Sequence, residues 1–282
     1  AGHVLKMREL VPLIEPRPDI YGGKPKESHN EPGVFADCTS VAEVEAFPWP
    51  DVEYLDFAGT IQKLREASAY FRFSGMWTCF FHIVADFFGM DNYFVKMYTD
   101  PAVVEAVTNH VVDFYLQANE LFFQEAAQNF EVYFFGNDFG TQLDLLISPE
   151  MFRRFILPYM RKCIEQAKSY GLKVMLHSCG SIYRVIPDLL DAGVDALHPL
   201  QARAKGMDAE TLARNYRGKL VFVGGVDTQH LLVHGSPQEV RDEVRRLRDL
   251  WGGKFIVSPS HEAILPNVPA ENVIAMAAAA KE

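Results

Sequence analysis

The clearest chemical signal in this sequence is the segment His177-Ser178-Cys179. Alternate residues of an extended segment point to the same side, so the imidazole of His177 and the thiol of Cys179 can converge. Both groups are good ligands for a tetrahedral zinc ion. A buried cysteine beside a hydrogen-bonded histidine would produce the same sequence, so the pair alone leaves both interpretations open.

The other candidate site residues share one feature, which is that each follows a short apolar run typical of a buried strand. They are Asp138 and Gln142 after the run at 131–135, His198 and Gln201 after 194–197, Gly224, Gly225 and Asp227 after 220–223, and His261 after 255–257. Reactive groups of a parallel barrel lie just beyond the carboxyl ends of its strands. We therefore expect Asp138, Gln201, Asp227 and His261 to face one cavity with His177.

Each of these residues also has a structural interpretation. Asp138 is a general base, a substrate anchor or the partner of a ligating histidine, but it could equally form an Asx turn. Gly224 and Gly225 let backbone N–H groups approach an anion, or simply make a tight turn. Asp227 could orient a substrate at the same edge. His198 precedes Pro199, a setting more typical of a structural histidine.

The elements that must position these residues alternate regularly from Ser68 onward. Apolar runs predict six strands, at 69–73, 131–135, 173–176, 194–197, 220–223 and 255–257, and capped helices lie between them. Repeated strand–helix units predict an α/β fold with a parallel sheet, and no Gly-rich dinucleotide loop follows the first strand. A TIM-type (β/α)8 barrel needs eight strands, so we expect its first strands to be irregular or missing. Residues 1–60, broken by proline and glycine, predict an irregular arm packed on a barrel domain at 61–282.

Composition narrows the class of protein. The 282 residues carry a net charge of −10 without a basic block, which argues against nucleic acid and anionic membranes as partners. No apolar run reaches the roughly 18–20 residues that span a bilayer. Four widely spaced cysteines in a chain of this size are typical of reduced thiols, so we expect a cytoplasmic protein.

From about Phe130 to Ala279 the sequence resembles the uroporphyrinogen decarboxylase superfamily. The matching stretches are ISPEMFRRFILPYM, HSCGSIYRVIPDLLDAGVDALHPLQ, LVFVGGVDTQHLL and SPSHEAILPNVPAENVIAM, with FRFSGMWTCFF as a weaker match. The resemblance implies a (β/α)8 barrel in which the six strands are the third to the eighth. The superfamily comprises decarboxylases and zinc-dependent cobamide:thiol methyltransferases, and the His-x-Cys pair resembles the second group.

The methyltransferase resemblance implies zinc held by His177, Cys179 and a third ligand. That ligand is usually a cysteine in the last loop, and here the matching position is His261. Asp138 and Asp227 are then expected to be catalytic, and the substrate-binding residues are expected to be Gln142, His198, Gln201, Gly224 and Gly225. The expected partners are a small thiol, a corrinoid carried by another protein and, as an option, a second copy of the chain in a homodimer.

Two alternatives remain open. A metal-free decarboxylase acting on a tetrapyrrole also has a histidine at the position of His261. The arginine-rich segment and the aspartate that such enzymes use to bind uroporphyrinogen have no counterpart here, and without the arginines its carboxylates lack partners. A non-catalytic scaffold that kept the barrel is the second alternative.

Overall fold

The computed structural model describes residues 32–282, which divide into two compact units. Among these residues the first unit comprises 32–137 and Glu150–Val174, and the second comprises Asp138–Pro149 and Met175–Glu282. Every candidate site residue predicted above belongs to the second unit. Residues 1–31 of the predicted arm lie outside the described residues, and the arm itself stays a prediction.

The first unit is mainly helical. Its helices are α1 (Val41–Glu45), α2 (Ala58–Glu66), α3 (Phe80–Phe88), α4 (Met90–Thr99), α5 (Pro101–Ala126), α6 (Pro149–Phe155, whose first residue belongs to the second unit) and α7 (Leu157–Ser169), with 3-10 turns at Val52–Tyr54 and Ala127–Asn129. Its strands are β1 (Phe73–Ser74) and β2 (Val132–Gly136), which pair in parallel. Helices α6 and α7 are separated at Ile156, because Pro158 cannot donate the hydrogen bond that would continue one helix through this point.

The second unit contains most of the sheet. Its strands are β3 (Lys173–His177, whose first two residues belong to the first unit), β4 (Ala196–Leu200), β5 (Val221–Val226) and β6 (Phe255–Pro259). Its helices are α8 (Ile186–Ala192), α9 (Ala209–Tyr216), α10 (Leu231–His234), α11 (Pro237–Trp251) and α12 (Ala270–Ala279), with a 3-10 turn at Tyr183–Val185. Helix α11 begins with a capping box formed by Ser236 and Glu239.

The predicted fold class is confirmed. The six strands form a parallel sheet in the order β1-β2-β3-β4-β5-β6, which is the order in which they occur along the chain. Sequential parallel strands separated by helices are the topology of a β/α barrel rather than of a doubly wound sheet. Within residues 32–282 the first strand begins at Phe73, and this part of the chain contains six strands, two fewer than a complete (β/α)8 barrel.

One predicted strand is largely wrong. The aromatic run at 69–73 predicts a strand, but only Phe73 of that run belongs to β1. The Tyr70 amide instead donates to the Ala67 carbonyl in a turn after α2, and Tyr70 and Phe71 are 70% and 64% exposed. Aromatic content alone therefore misled the prediction, because these rings do not pack on a sheet face.

The later strands extend further than the apolar runs predict. His198 lies inside β4, and Gly224 and Gly225 lie inside β5, whereas the sequence placed all three beyond the strands. The pairing of β4 with β5 shifts register between Leu197 and Leu200, which accommodates the irregular segment. The sequence predicts that strands end at polar and glycine residues, but in the structure strand pairing continues through these positions.

Glycine at 224 and 225 has a packing reason. Both residues have positive φ, and a Cβ on Gly224 would lie 2.7 Å from the Leu200 amide nitrogen. A Cβ on Gly225 would lie 2.4 Å from the ring of Trp251, a buried side chain of α11 that stacks on Phe222. These glycines let α11 and β4 approach β5 closely, and a substrate-binding role for them stays a prediction.

Candidate functional site

Three potential ligands meet at the end of β3. His177, the last residue of the strand, is buried, and its Nε2 lies 3.2 Å from Asp138 Oδ1 and 3.6 Å from Cys179 Sγ. The ligand atoms of the three side chains all lie within 4.8 Å of one another. The convergence of His177 and Cys179 inferred from their spacing is therefore present, and Asp138 joins them.

Asp138 is held in place by the backbone of the same segment. Its Oδ1 accepts a hydrogen bond of 2.8 Å from the Cys179 amide. The neighbouring Phe139 amide donates to the Ser178 hydroxyl at 3.1 Å. These two hydrogen bonds connect the loop after β2 with the loop after β3. They hold the Asp138 carboxylate in a position where it faces the His177 imidazole.

The second group of potential ligands also contains Cys179. Its Sγ, one ring nitrogen of His261 and a carboxylate oxygen of Glu262 lie within 4.8 Å of one another. His261 was predicted as the third ligand beside His177, but the structure brings it into this second group instead. Its Nδ1 accepts a hydrogen bond of 3.0 Å from the Ala263 amide. A neutral imidazole that accepts at Nδ1 carries its proton on Nε2, so His261 in this arrangement presents no lone pair to a metal.

The surroundings of Cys179 disfavour its ionised form. Burial raises the pKa of the thiol well above its ordinary value, and the negative charges of Asp138 and Glu262 raise this pKa further. A hydrogen bond from the Gln201 side chain acts in the opposite direction. The thiol is thus protonated at neutral pH unless a cation compensates the carboxylates.

His198 pairs with His177 across the sheet. The two residues are partners in the register of β3 and β4, and their Nδ1 atoms lie 3.0 Å apart. Burial, followed by the nearby His177 and His261, lowers the pKa of His198 to about 3. His198 is therefore a neutral hydrogen-bonding group at physiological pH.

Two glutamines connect the loops around Cys179. Gln201 Oε1 accepts hydrogen bonds from Gln142 Nε2 at 2.7 Å and from the Gly180 amide at 3.1 Å. With its oxygen engaged twice, the amide nitrogen of Gln201 is the atom available as a donor toward Cys179. The predicted pair of substrate-binding glutamines is thus in mutual contact.

A cavity of about 390 Å³ lies in the same unit. Its polar wall includes Gln142, Gln201, Arg203, Asp227, Ser260 and His261. Of the residues expected to share one cavity, Gln201, Asp227 and His261 line this wall, whereas Asp138 and His177 do not. Its volume is in the range of small-molecule sites.

Asp227, in the wall of this cavity, is held by two contacts to its carboxylate. Its Oδ1 accepts the amide hydrogen of Gln229 at 2.8 Å, and its Oδ2 lies 3.4 Å from Arg203 Nη1. Sequence reasoning did not assign Arg203 or Glu262 to the site. Glu262 could have been found from the sequence, because it directly follows the predicted ligand His261. The pairing of Arg203 with Asp227 could not, because no pattern in the sequence indicates it.

Comparisons with known proteins are consistent with this arrangement. The sequence profile of the family described as uroporphyrinogen decarboxylase (URO-D) matches residues 26–282. A methylcobamide:CoM methyltransferase of Methanosarcina acetivorans is 22% identical over 191 residues, which are 68% of this chain and 52% of that protein. A uroporphyrinogen decarboxylase of Thermus thermophilus is 31% identical over 133 residues, 45% of this chain and 35% of that protein.

A solved structure shares the fold. A methyltransferase from Methanosarcina mazei superposes with a TM-score of 0.65 at 17% identity, covering 84% of this chain and 68% of that one. The chain spans about half the length of the curated methyltransferases that it matches. Among the described helices, none combines the length and apolar character that crossing a bilayer requires.

Proposed function

The chain belongs to the uroporphyrinogen decarboxylase family, and from that premise we propose that it is a methyltransferase that activates a thiol as methyl acceptor. The observation that carries this proposal is the meeting of His177, Cys179 and Asp138 at the end of β3. The similarity to methylcobamide:CoM methyltransferases supports the same reaction class.

The donor set fits a zinc ion. Zinc bonds of about 2.0–2.1 Å to nitrogen and about 2.3 Å to sulfur, at tetrahedral angles, put the two donor atoms about 3.5 Å apart, and a nitrogen–oxygen pair about 3.4 Å apart. The corresponding distances from His177 Nε2 are 3.6 Å to Cys179 Sγ and 3.2 Å to Asp138 Oδ1. One imidazole, one thiolate and one carboxylate also leave a fourth position open, as in catalytic zinc sites.

We assign His177, Cys179 and Asp138 as the ligands, with His261 as the competing third ligand. Asp138 is favoured because its carboxylate already faces the Nε2 of His177, whereas the Nδ1 of His261 is engaged by the Ala263 amide. When bound, zinc would supply a Lewis acid that lowers the pKa of a substrate thiol.

The chain's own residues then bind and orient the acceptor. The cavity beside His261 would hold the body of the thiol, and Gln142, Gln201 and Asp227 would contact its polar groups. Glu262, which belongs to the same group as Cys179 and His261, would accept the thiol proton. The hydrogen bond between Gln142 and Gln201 would hold the loops through which the substrate thiol reaches Cys179.

The methyl donor we propose is a methylated corrinoid carried by a partner protein. In such a transfer the acceptor sulfur would form the new S–CH3 bond, and the Co–C bond of the donor would break with its electron pair staying on cobalt. The partner supplies the cofactor chemistry, and this chain supplies the activated acceptor.

Methyl transfer is tested with free methylcobalamin as donor and a panel of small thiols. We expect thiol-dependent demethylation, followed by the absorbance change of the corrinoid and by detection of the methyl thioether, in zinc-supplemented wild type. Cys179→Ser should lose at least about 100-fold in rate, because one of the three ligands is weakened. Equal rates in wild type and Cys179→Ser would contradict the proposal.

A decarboxylase is the second candidate, and one observation favours it. The uroporphyrinogen decarboxylase of Thermus thermophilus is 31% identical to this chain, whereas the methyltransferase of Methanosarcina acetivorans is 22% identical. The match to the decarboxylase covers a shorter stretch, 133 residues against 191. Release of CO2 from uroporphyrinogen by metal-free wild type, unaffected by Cys179→Ser, would put this candidate ahead.

A further inference from the structure

His177 and His198 form a direct pair between two neighbouring strands. They occupy partnered positions of β3 and β4, their ring centroids are 5.1 Å apart, and the two Nδ1 atoms are 3.0 Å apart. The backbone fixes this approach, because the Ser178 amide donates to the His198 carbonyl at 2.8 Å. The backbone pairing of β3 and β4 therefore brings the two imidazole rings together.

The distance between the two nitrogen atoms has a chemical consequence. Two ring nitrogens at 3.0 Å share one proton, so one histidine donates and the other accepts. Which one donates decides the tautomer of His177. If His177 donates from Nδ1, its Nε2 has a lone pair that faces Asp138 and Cys179. If His198 donates, the proton of His177 is on Nε2 and no lone pair faces them.

We infer that His198 is a positioning residue that accepts the Nδ1 proton of His177 and thereby directs the Nε2 lone pair of His177 to the metal position. This inference rests on the proposed zinc site. Ligating histidines generally donate their other ring N–H to an acceptor that fixes both the tautomer and the ring orientation.

The choice of a histidine as acceptor also suits the charge of the site. The usual acceptors are a carboxylate, a backbone carbonyl or water. With Cys179 and Asp138 both ionised, a divalent ion already gives a neutral set of ligands, and a carboxylate at position 198 would add a negative charge beside the buried His177. A neutral imidazole provides the acceptor without adding charge.

The test is the zinc affinity of variants at position 198. His198→Leu removes the acceptor, whereas His198→Asn keeps it, because the asparagine oxygen stands as many bonds from Cα as the histidine Nδ1. His234→Leu is the matched control, since it removes an exposed histidine of α10 outside this pair. Dissociation constants are measured by competition with a chromophoric zinc chelator at one pH.

We expect His198→Leu to bind zinc about 10–100-fold more weakly than wild type, the usual effect of removing such a partner. His198→Asn should recover most of the affinity, and His234→Leu should match wild type. In zinc-loaded wild type, NMR of 15N-labelled histidine should show His177 protonated at Nδ1. This second readout also decides the case in which His198→Leu does not fold.

The outcomes separate this inference from the proposed function. Wild type that binds no zinc contradicts the proposed function and removes the basis of this inference with it. Wild type that binds zinc, with unchanged affinity in His198→Leu or with His177 protonated at Nε2, overturns the role of His198 alone.

Discussion

At the scale of single residues, the site depends on how Cys179 is surrounded. Burial is the largest influence that raises the pKa of this thiol, and the charges of Asp138 and Glu262 add to it. Since the folded pKa lies above the ordinary value, the thiol stays protonated through neutral pH and ionises only in alkaline solution. A cation in the site reverses this preference, because it compensates the same two carboxylates.

The influence of Glu262 can be measured in the metal-free protein. Glu262→Gln removes a negative charge near Cys179, so the thiol pKa should fall and alkylation by iodoacetamide at pH 9 should become roughly two- to fivefold faster. The rate is followed by mass spectrometry of the peptide that contains Cys179. Glu271→Gln, at an exposed position of α12, is the matched control and should leave the rate unchanged. A slower reaction in Glu262→Gln would contradict the electrostatic account.

Some of the site was predictable at this scale and some was not. The alternation of side chains in an extended segment was enough to bring His177 and Cys179 together, because that rule is local. The partners of this pair were not predictable, since the choice between Asp138 and His261 depends on how separate loops are fixed. The hydrogen bonds of Asp138 to the Cys179 amide and of His261 to the Ala263 amide have no signature in the sequence.

At the scale of the elements, the position of β5 depends on close contacts that only glycine allows. Gly225→Ala would place a methyl group 2.4 Å from the ring of Trp251. We expect a loss in the free energy of unfolding that exceeds the loss in Gly218→Ala by about 1–3 kcal/mol. Gly218 is the matched control because its φ is also positive, 78° against 83°, and nothing lies within 4 Å of a Cβ placed there. Equal losses in urea titrations of the two variants would contradict the packing argument.

The capping box of α11 gives a second prediction for an element. The Ser236 hydroxyl accepts from the Glu239 amide, and the Glu239 carboxylate accepts from the Ser236 amide at 2.7 Å. Ser236→Ala should therefore lower the free energy of unfolding by about 1 kcal/mol. Thermal unfolding followed by circular dichroism measures this, with Ser236→Thr as the conservative control. No change in Ser236→Ala would show that the cap contributes nothing to stability.

The sequence predicted helix starts better than strand ends. The start of α11 follows from Ser236 and Pro237, and the start of α9 from Asp208, whose carboxylate accepts from the Thr211 amide. Strand ends depend on pairing with a neighbour, so hydropathy ended β4 and β5 too early, before His198 and Gly224. The same dependence explains why the aromatic run before Phe73 was wrongly predicted as a strand.

At the scale of the whole molecule, the net charge predicts which partners do not bind. The net charge of −10 argues against a surface that neutralises phosphates. We expect no binding of a random-sequence duplex DNA at 50 mM salt, measured by fluorescence anisotropy up to micromolar protein. Tight binding that weakens steeply with added salt would contradict this prediction.

The order of the sheet was predictable because it follows from repetition along the chain. Alternating apolar runs and capped helices predict parallel, sequentially ordered strands, and the strand order confirms this. The six strands that the apolar runs predict are present among the described residues, although the first is shorter than predicted. The family match and the shared fold agree with this topology.

The zinc content of the purified chain tests the central claim most directly. After supplementation with zinc and removal of excess metal, wild type should contain about one zinc per chain by inductively coupled plasma mass spectrometry. Cys179→Ser and Asp138→Asn should each lose most of it, while His261→Ala should keep it. Loss of zinc in His261→Ala with retention in Asp138→Asn would show that the third ligand is His261 rather than Asp138, and the proposed activation of a thiol by zinc would stand. Wild type that stays free of zinc would contradict the account.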